Sequence, residues 1–592
     1  MTEERMEKEL TGYPSIDKPW LKYFEKELLE KTLPKRTVFQ TIYENNKDYL
    51  RDTALIYFGA KISYDKLFNN IEMVTKALIG VGVQQGEVVN LCTAATPEAI
   101  YLMLACNRIG AIANFINPLF SKEQMTDRLR ETGSQRVFVL DALYPKVEES
   151  LKDANITEII IISVAGSMPF FVRTVSGVGK TTREILKRSF SENTRIISWN
   201  DFLQRGKEEY LEDALYKEET SAIMVYSSGS TGASKGIVLT NDGINATIAN
   251  YERDSFYGKR TDTFLAMIPV WFSTGIVLSV LMPIAHGVTV ILEPVFSKET
   301  FAKDLKKYKP TMTLTATSLW LYVATAKETQ NIDLSRMNYP STGGEKISEQ
   351  DEKLLDNFLL SHHAKSKLLK GYGMCELGSE VCGTTVAKGY SSKPLGVGYP
   401  VLGATVSAFD PITNIELKYG EHGEIRVCSP AKMKGYFKNP EATSEYFWTD
   451  ENGMTWGCTG DIGYVDEDGE VFILGRKTDS ATLENGDHVY LFDIEDVILR
   501  DPNLSGCKVV AVEDEGKTVL AAHITLRQAT ADATKLIRQI DKLCHQSLPD
   551  AHCPVRYKIR DSFPVHPNGK RDVGALKQEK DGFILVGKMK NE

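Results

Sequence analysis

Tyr226-Ser-Ser-Gly-Ser-Thr-Gly-Ala-Ser-Lys-Gly236 crowds small hydroxyl residues and glycines together and closes on a lysine. That composition suits a backbone that must pass close to phosphate oxygens. Gly229, Gly232 and Gly236 permit tight or positive-φ geometry. Ser227, Ser228, Ser230 and Thr231 add hydroxyl donors to the free backbone N–H groups, and Lys235 adds positive charge. A plain Ser/Gly linker shares the polar character, but it needs neither the lysine nor the apolar run at 222–225 that leads in. That run predicts a strand, which puts the loop at a strand end, where α/β proteins bind ligands.

Working outward, strand and helix signals alternate from Thr53 onward. Residues 54–58, 88–92, 111–114, 136–140 and 158–163 read as strands, and Ser63 caps a helix running to Gly80. Such alternation predicts parallel sheets covered by helices. The stretch 263–292 contains no Asp, Glu, Lys or Arg and is long enough to cross a bilayer. However, Pro269, Gly275, Pro283 and Gly287 divide it, and it reads as buried strand (264–268), helix (274–285) and strand (288–292). Residues 1–36 read as a charged helical extension. Residues 163–199 form an irregular basic segment that reads as a solvated surface excursion with one helix packed on the body; a resting place on a membrane surface is the less favoured reading of it.

A turn-rich β region precedes a boundary near Gly475-Arg-Lys-Thr-Asp479, and an α+β pattern follows it, with helices at 493–500 and 532–547 and strands at 507–512, 519–524 and 557–559. The expected fold is therefore α/β. A large N-terminal domain (37–476) has two parallel-type sheets covered by helices plus a small β-barrel-like subdomain. A hinge of Lys477, Thr478 and Asp479 follows, then a small mobile α+β lid (480–592).

With 592 residues, several cores are needed. A net charge of −9 leaves no basic excess for general nucleic-acid binding. The charged N-terminus does not read as a signal peptide, and nine scattered cysteines without a CxxC pair fit reduced thiols, so a cytoplasmic location is expected. Two lookalikes carry little weight. Gly177-Val-Gly-Lys-Thr-Thr182 lacks the P-loop's first glycine, because Thr174 stands there. Cys544, His545, His552 and Cys553 match no common zinc spacing, so a local structural role is expected.

Four more motifs follow the opening loop in order: Ser341-Thr-Gly-Gly-Glu-Lys346, Gly371-Tyr-Gly-Met-Cys-Glu376, Trp456-Gly-Cys-Thr-Gly-Asp461 with Gly475-Arg476, and Pro567-Asn-Gly-Lys570. Over roughly residues 37–580 the chain resembles the adenylate-forming (AMP-binding) superfamily: acyl-CoA synthetases, nonribosomal-peptide adenylation domains and luciferases. It looks most like the acyl-CoA synthetases. The resemblance implies that Ser227–Lys235 grips ATP phosphates, that Gly343, Gly344 and Glu345 stand beside the adenine, and that Gly371, Tyr372, Gly373, Met374 and Cys375 complete the nucleotide pocket. Asp461 and Arg476 would bind ribose. Glu376, with Thr231, would hold Mg²⁺, since a carboxylate oxygen is a hard ligand. Lys570 would bridge carboxylate and α-phosphate oxygens, where two anions must meet.

Two half-reactions are implied: carboxylate plus ATP gives acyl-AMP and pyrophosphate, then the lid turns and a thiol, that of CoA, attacks the acyl carbon. Segments matching the family's acyl pocket include Val270, Trp271, Phe272, Gly275, Thr317 and Gly343. An α-amino acid would need an acidic partner for its ammonium, and none lies in 263–292. An apolar acid is favoured, either a medium- or long-chain fatty acid or an aryl acid. The chain departs from the family at Phe272 (often His), at Cys375 (often Thr) and at Leu483-Glu-Asn-Gly-Asp-His488, where only Gly486 remains of a glycine pair. The alternatives kept open are a ligase loading a carrier-protein phosphopantetheine and a non-catalytic nucleotide-binding regulator.

Overall fold

The computed structural model describes residues 10–169, 179–188, 193–227, 234–253, 258–384, 390, 393–514, 517–528, 532–564 and 571–586, with backbone alone for 179, 180 and 251–253. The chain divides into two compact units: Met1–Ser407 with Arg426–Cys458 and Val465–Val471, and Ala408–Ile425 with Thr459–Tyr464 and Phe472–Glu592.

The first unit holds two large sheets. In the nine-stranded one, Thr53–Tyr57, Thr289–Leu292, Thr263–Ala266, Met312–Thr315, Tyr339–Gly343 and Leu369–Tyr372 are neighbours in that order and run parallel. In the eight-stranded one, Ser221–Tyr226, Ile112–Phe115, Val88–Cys92, Arg136–Leu140, Glu158–Ile162 and Arg195–Ser198 run parallel, with Gly236–Thr240 antiparallel beside the first. The strands are short and apolar, and most are buried on both faces, as parallel sheets demand. One continuous core joins Leu55, Phe264 and Val290 of the first sheet to Leu91, Phe115 and Phe138 of the second through the helix Pro97–Arg108. Residues 97–107 are buried without exception, the polar Glu98 and Asn107 included.

The uncharged stretch is indeed strand, helix and strand, with its two strands parallel neighbours. Its middle differs from a plain helix: Thr274–Leu281 is a π-helix, and only Met282–Ala285 is α. Pro283 supplies the reason. It has no N–H to donate, and its ring would crowd the carbonyl four residues earlier, which a wider turn avoids.

The basic excursion holds one helix, in keeping with its favoured reading, and an edge strand that was not expected. Gly179–Leu186 is helical, and Arg195–Ser198 is an edge strand in register with Glu158–Ile161. Residues 170–178 and 189–192, and with them Gly177 and Val178 of the P-loop lookalike, lie outside the described residues. The N-terminal extension forms three short helical turns rather than one helix. Trp20 is fully buried there with Phe24, Tyr399 and Leu402, and Lys22 pairs with Asp468 at 3.0 Å.

The turn-rich region forms a five-stranded sheet of Thr405–Phe409, Gly423–Cys428, Thr455–Val465, Phe447–Thr449 and Val471–Arg476. In the second unit, Leu504–Asp514, Lys517–Leu526, Arg556–Arg560 and Ile584–Leu585 make a four-stranded sheet. With helices Leu491–Ile498 and Ala533–Ser547 it encloses a core of its own around Val509, Ile524, Ile537 and Tyr557. The Cys/His cluster is split among local partners: the Tyr557 hydroxyl reaches Cys544 Sγ at 3.7 Å, His545 pairs with Asp550 at 2.7 Å, and His552 pairs with Asp487 at 3.2 Å. Among the described residues, no helix is long and apolar enough to cross a membrane, and all nine cysteines are free.

Candidate functional site

The phosphate-loop candidate is the tip of a hairpin. Ser221–Tyr226 pairs antiparallel with Gly236–Thr240, ending at Tyr226 opposite Gly236. The stem closes tightly: Ser227 N–H donates to Lys235 O at 3.0 Å, Lys235 N–H to Ser227 Oγ at 3.0 Å, and Ser234 Oγ to Ser227 O at 2.6 Å. Ser228, Gly229, Ser230, Thr231 and Gly232 lie outside the described residues. Side chains are excluded at Gly236, where a Cβ would come within 3.0 Å of Met224 Sδ.

Beyond the stem, Gly435–Tyr436 adds antiparallel to Ile237 and Val238. This pairing brings Tyr436 to both chemically expressive residues of the earlier motifs. Lys235 Nζ stands 4.8 Å from the Tyr436 ring centroid, and the Tyr436 hydroxyl donates to Glu376 Oε1 at 3.1 Å. Burial and the neighbouring Glu376 raise the Tyr436 pKa, so it stays a neutral donor. Glu376 sits in a single 3-10 turn, Cys375–Leu377, closed by Gly378 at φ 76°. There a Cβ would meet Ala431 and Thr247, so only glycine fits. Met433 N–H donates to Glu376 O at 2.8 Å and fixes the turn. Part-buried Tyr446 donates to Met374 Sδ at 3.1 Å, and its ring lies 6.1 Å from that of Tyr436. Neither tyrosine belongs to a motif read from the sequence. The only signal was the Gly-Tyr pair between residues 433 and 437, which alternation alone does not single out.

Gly343 and Gly371 face each other across adjacent strands, and a Cβ on Gly343 would come 2.9 Å from Gly371 O. At Gly373 a Cβ would lie 2.0 Å from Ser379 O. Gly344, at φ 83°, and Glu345 are exposed at the strand end. The parallel strand ends therefore bring Gly343, Gly371, Tyr372 and Gly373 side by side, the usual ligand edge of such a sheet.

The acyl-pocket candidates divide into two groups. Val270 is fully buried in the core, and Thr317, also buried, shares its hydroxyl with Thr342 at 3.0 Å. Trp271, Phe272 and Gly343 keep partial exposure, with the Trp271 and Phe272 rings 6.3 Å apart. Gly275 opens the π-helix, where a Cβ would lie 2.0 Å from Pro269 O.

In the second unit, two of the candidate nucleotide-site residues, Asp461 and Arg476, form an ion pair. Asp461, 4% exposed, lies 3.0 Å from Arg476 Nε, and Arg476 Nη1 donates to Thr459 O at 3.2 Å. Half-exposed Arg476 and buried Asp461 are held together by the hairpin of Thr455–Val465 and Val471–Arg476. Gly463 there lets the strands approach, since a Cβ would lie 2.1 Å from Phe472 O. Lys570 lies outside the described residues. Its flanks are anchored: Asp572 N–H donates to Pro564 O at 2.8 Å, and Arg571 Nη1 to Cys507 O at 3.0 Å. Asp572 also caps the helix Val573–Gln578. The changed loop after the hinge is a hairpin turn between Ser480–Thr482 and His488–Tyr490, with Gly486 at φ 86°.

Comparison with known proteins shows the family. Residues 42–437 match the family model "AMP-binding enzyme", and residues 493–570 match "AMP-binding enzyme C-terminal domain". The chain is 25% identical over 561 residues to a long-chain-fatty-acid–CoA ligase of Bacillus subtilis (strain 168), covering 93% of this chain and 96% of that one. It is 24% identical over 555 residues to 4-coumarate–CoA ligase 1 of Petroselinum crispum, covering 92% and 95%. Among solved structures, the anthranilate CoA ligase AuaEII in complex with anthranoyl-AMP superposes with a TM-score of 0.76 at 21% identity, covering 92% of this chain and 97% of that one. A benzoate CoA ligase from Burkholderia xenovorans LB400 gives 0.75 at 17% identity, covering 92% and 100%.

Proposed function

We propose a reaction from the premise that this chain belongs to the AMP-binding enzyme family and is an acid–thiol ligase: it activates an apolar carboxylic acid with ATP and passes the acyl group to CoA. The acid would be a medium- or long-chain fatty acid or an aryl acid. The observation that carries the reading is the convergence of Lys235, Tyr436 and Glu376 at the stem of the phosphate loop. A cation and a carboxylate joined through one neutral phenol suit a polyphosphate and its counter-ion. A carboxylate oxygen fits Mg²⁺, which Glu376 and Thr231 would hold, and the ion would neutralise phosphate charge as the carboxylate approaches.

In the first half-reaction, a carboxylate oxygen attacks the α-phosphorus in line and pyrophosphate leaves. Ser227–Lys235 would bind the leaving phosphates, and Asp461 with Arg476 the ribose. Lys570 would bridge the attacking carboxylate and an α-phosphate oxygen, the electrostatic stabilisation two meeting anions require. In the second, the C-terminal lid turns about Lys477–Asp479, Lys570 leaves, and the CoA sulfur attacks the acyl carbon and expels AMP. The preference for an apolar acid is supported by the absence of any Asp, Glu, Lys or Arg in 263–292. Relatives named for fatty and aryl acids support the same class.

The acceptor is the part of the reading with a second candidate, a carrier-protein phosphopantetheine: the turn at 483–488 keeps only Gly486 of a glycine pair, and phosphopantetheine would use the same tunnel as CoA. ATP–pyrophosphate exchange over acids of graded chain length, followed by product analysis with and without CoA, decides between the two. Carboxylate-dependent exchange with free acyl-CoA is the expected result, and exchange without acyl-CoA would move the assignment to the carrier protein. Lys570→Ala should abolish exchange in a folded protein; near-native exchange would remove Lys570 from its role.

A further inference from the structure

Asp479 is bound on three sides within the second unit. Its N–H donates to Arg476 O at 2.9 Å, its carbonyl accepts Leu491 N–H at 2.9 Å, and its Oδ2 accepts from Lys508 Nζ at 2.7 Å. Lys508 belongs to the strand Leu504–Asp514, and its Nζ also lies 3.1 Å from Glu495 Oε1 on the helix Leu491–Ile498. That oxygen further accepts Val509 N–H at 2.9 Å. The Lys508 side chain is only 9% exposed. A lysine this far from water is retained only when its charge is paired and hydrogen-bonded, and here two carboxylates from different elements hold it. Burial works against the charge, but Glu495 and Asp479 keep the Lys508 pKa above the ordinary lysine value.

Upstream the chain is anchored elsewhere. Lys477 N–H donates to Gly460 O at 2.8 Å, on the strand Thr455–Val465. Exposed Thr478 is thus the residue between two fixed points, one on that strand and one on the C-terminal body; two hydrogen bonds cross it, Asp479 N–H to Arg476 O at 2.9 Å and Ser480 Oγ to Lys477 O at 3.1 Å, and rotation would break them. We propose that Lys508 is a positioning residue for thiol transfer: it makes Asp479 part of the C-terminal body, so that rotation is taken up upstream, at Lys477–Thr478. The transfer role rests on the two-step reading above; the ion triad does not. A short pivot limits the orientations the lid can take. Releasing Asp479 would lengthen the swivel and dilute the transfer-competent arrangement, whereas adenylation starts from the other orientation.

Lys508→Met alone strands two carboxylates in a buried place, so the test pairs it with Glu495→Gln, which removes one of those charges and keeps the volume. In the double variant, ATP–pyrophosphate exchange should persist at the native rate. Single-turnover acyl transfer to CoA should slow by about ten-fold or more in rate, with its CoA concentration dependence unchanged. Lys508→Arg should restore transfer. Hydrogen exchange at the Leu491 amide should quicken in the double variant while the strand Leu504–Asp514 keeps its protection. Equal loss of both half-reactions, or transfer at the native rate, would overturn the proposal. If the wild-type protein shows no carboxylate-dependent exchange with any acid, the functional reading fails. The clamp is then judged on the Leu491 amide alone, and unchanged protection there would refute it.

Discussion

At the scale of the residue, the decisive contact is the Tyr436 hydroxyl on Glu376, with Lys235 over the same ring. Glu376 and Lys235 were legible because each stands in a dense motif. Tyr436 was not, since it arrives 60 positions after Glu376 on a strand of two residues, too short for a period-2 pattern. A hydrogen bond to a charged group contributes about 1.5–3 kcal/mol. Tyr436→Phe should therefore lower pyrophosphate exchange by roughly ten-fold or more, with a higher Mg²⁺ requirement and a modestly lower melting temperature. An unaltered Mg²⁺ dependence would show that Tyr436 orients nothing that the ion needs.

At the scale of the element, the π-helix Thr274–Leu281 sets the shape of the segment proposed for the acyl pocket, because its wide turn follows directly from the bend at Pro269–Gly275. The apolar run announced a buried helix, but its hydrogen-bond period could not be read, since composition is the same for α and π. Gly275 is the position where this matters, because a Cβ would lie 2.0 Å from Pro269 O, a backbone atom that cannot turn aside. Gly275→Ala should cost about 1–3 kcal/mol, the usual range for overpacking, and should weaken acid binding more than ATP binding. Thermal unfolding and the separate KM values for acid and ATP would check this, and an unchanged acid KM would place the bend outside the pocket. The strand Arg195–Ser198 illustrates the opposite difficulty. Four residues with two isoleucines are no signal by themselves, and the edge of the Glu158–Ile162 sheet makes them a strand.

At the scale of the whole molecule, the first unit buries acids where water cannot reach them, and its stability should carry their signature. Burial pushes Glu98 up to about 7, only partly offset by the Ser167 hydroxyl donating at 2.7 Å. Burial likewise raises Glu470 to about 7, and burial with Asp304 alongside raises Glu293 to about 8. The folded chain keeps these protons at pH values where the unfolded chain has released them, so stability should fall as pH rises from about 4.5 to about 7 or 8. Glu579 acts in the opposite sense: the Arg560 hydrogen bond leads in holding it at about 2, so its contribution is present above about 4.5 and is lost as pH falls toward 2. Glu98→Gln keeps the shape and the neutral form, so its urea midpoint should drop less than the wild type's between roughly pH 5 and pH 7.5; parallel curves would show that Glu98 titrates normally. Sequence alone determined the class of fold and the order of motifs, and it supplied the candidate residues of the nucleotide site, because hydrophobic period and glycine placement are local and survive without neighbours. Only the tertiary structure decided which side chains meet: Tyr436 on Glu376, Asp461 against Arg476, and Asp479 held by Lys508 and so joined to the body that follows it. Such contacts join residues far apart in the chain, and no local pattern records a partner that arrives from another strand.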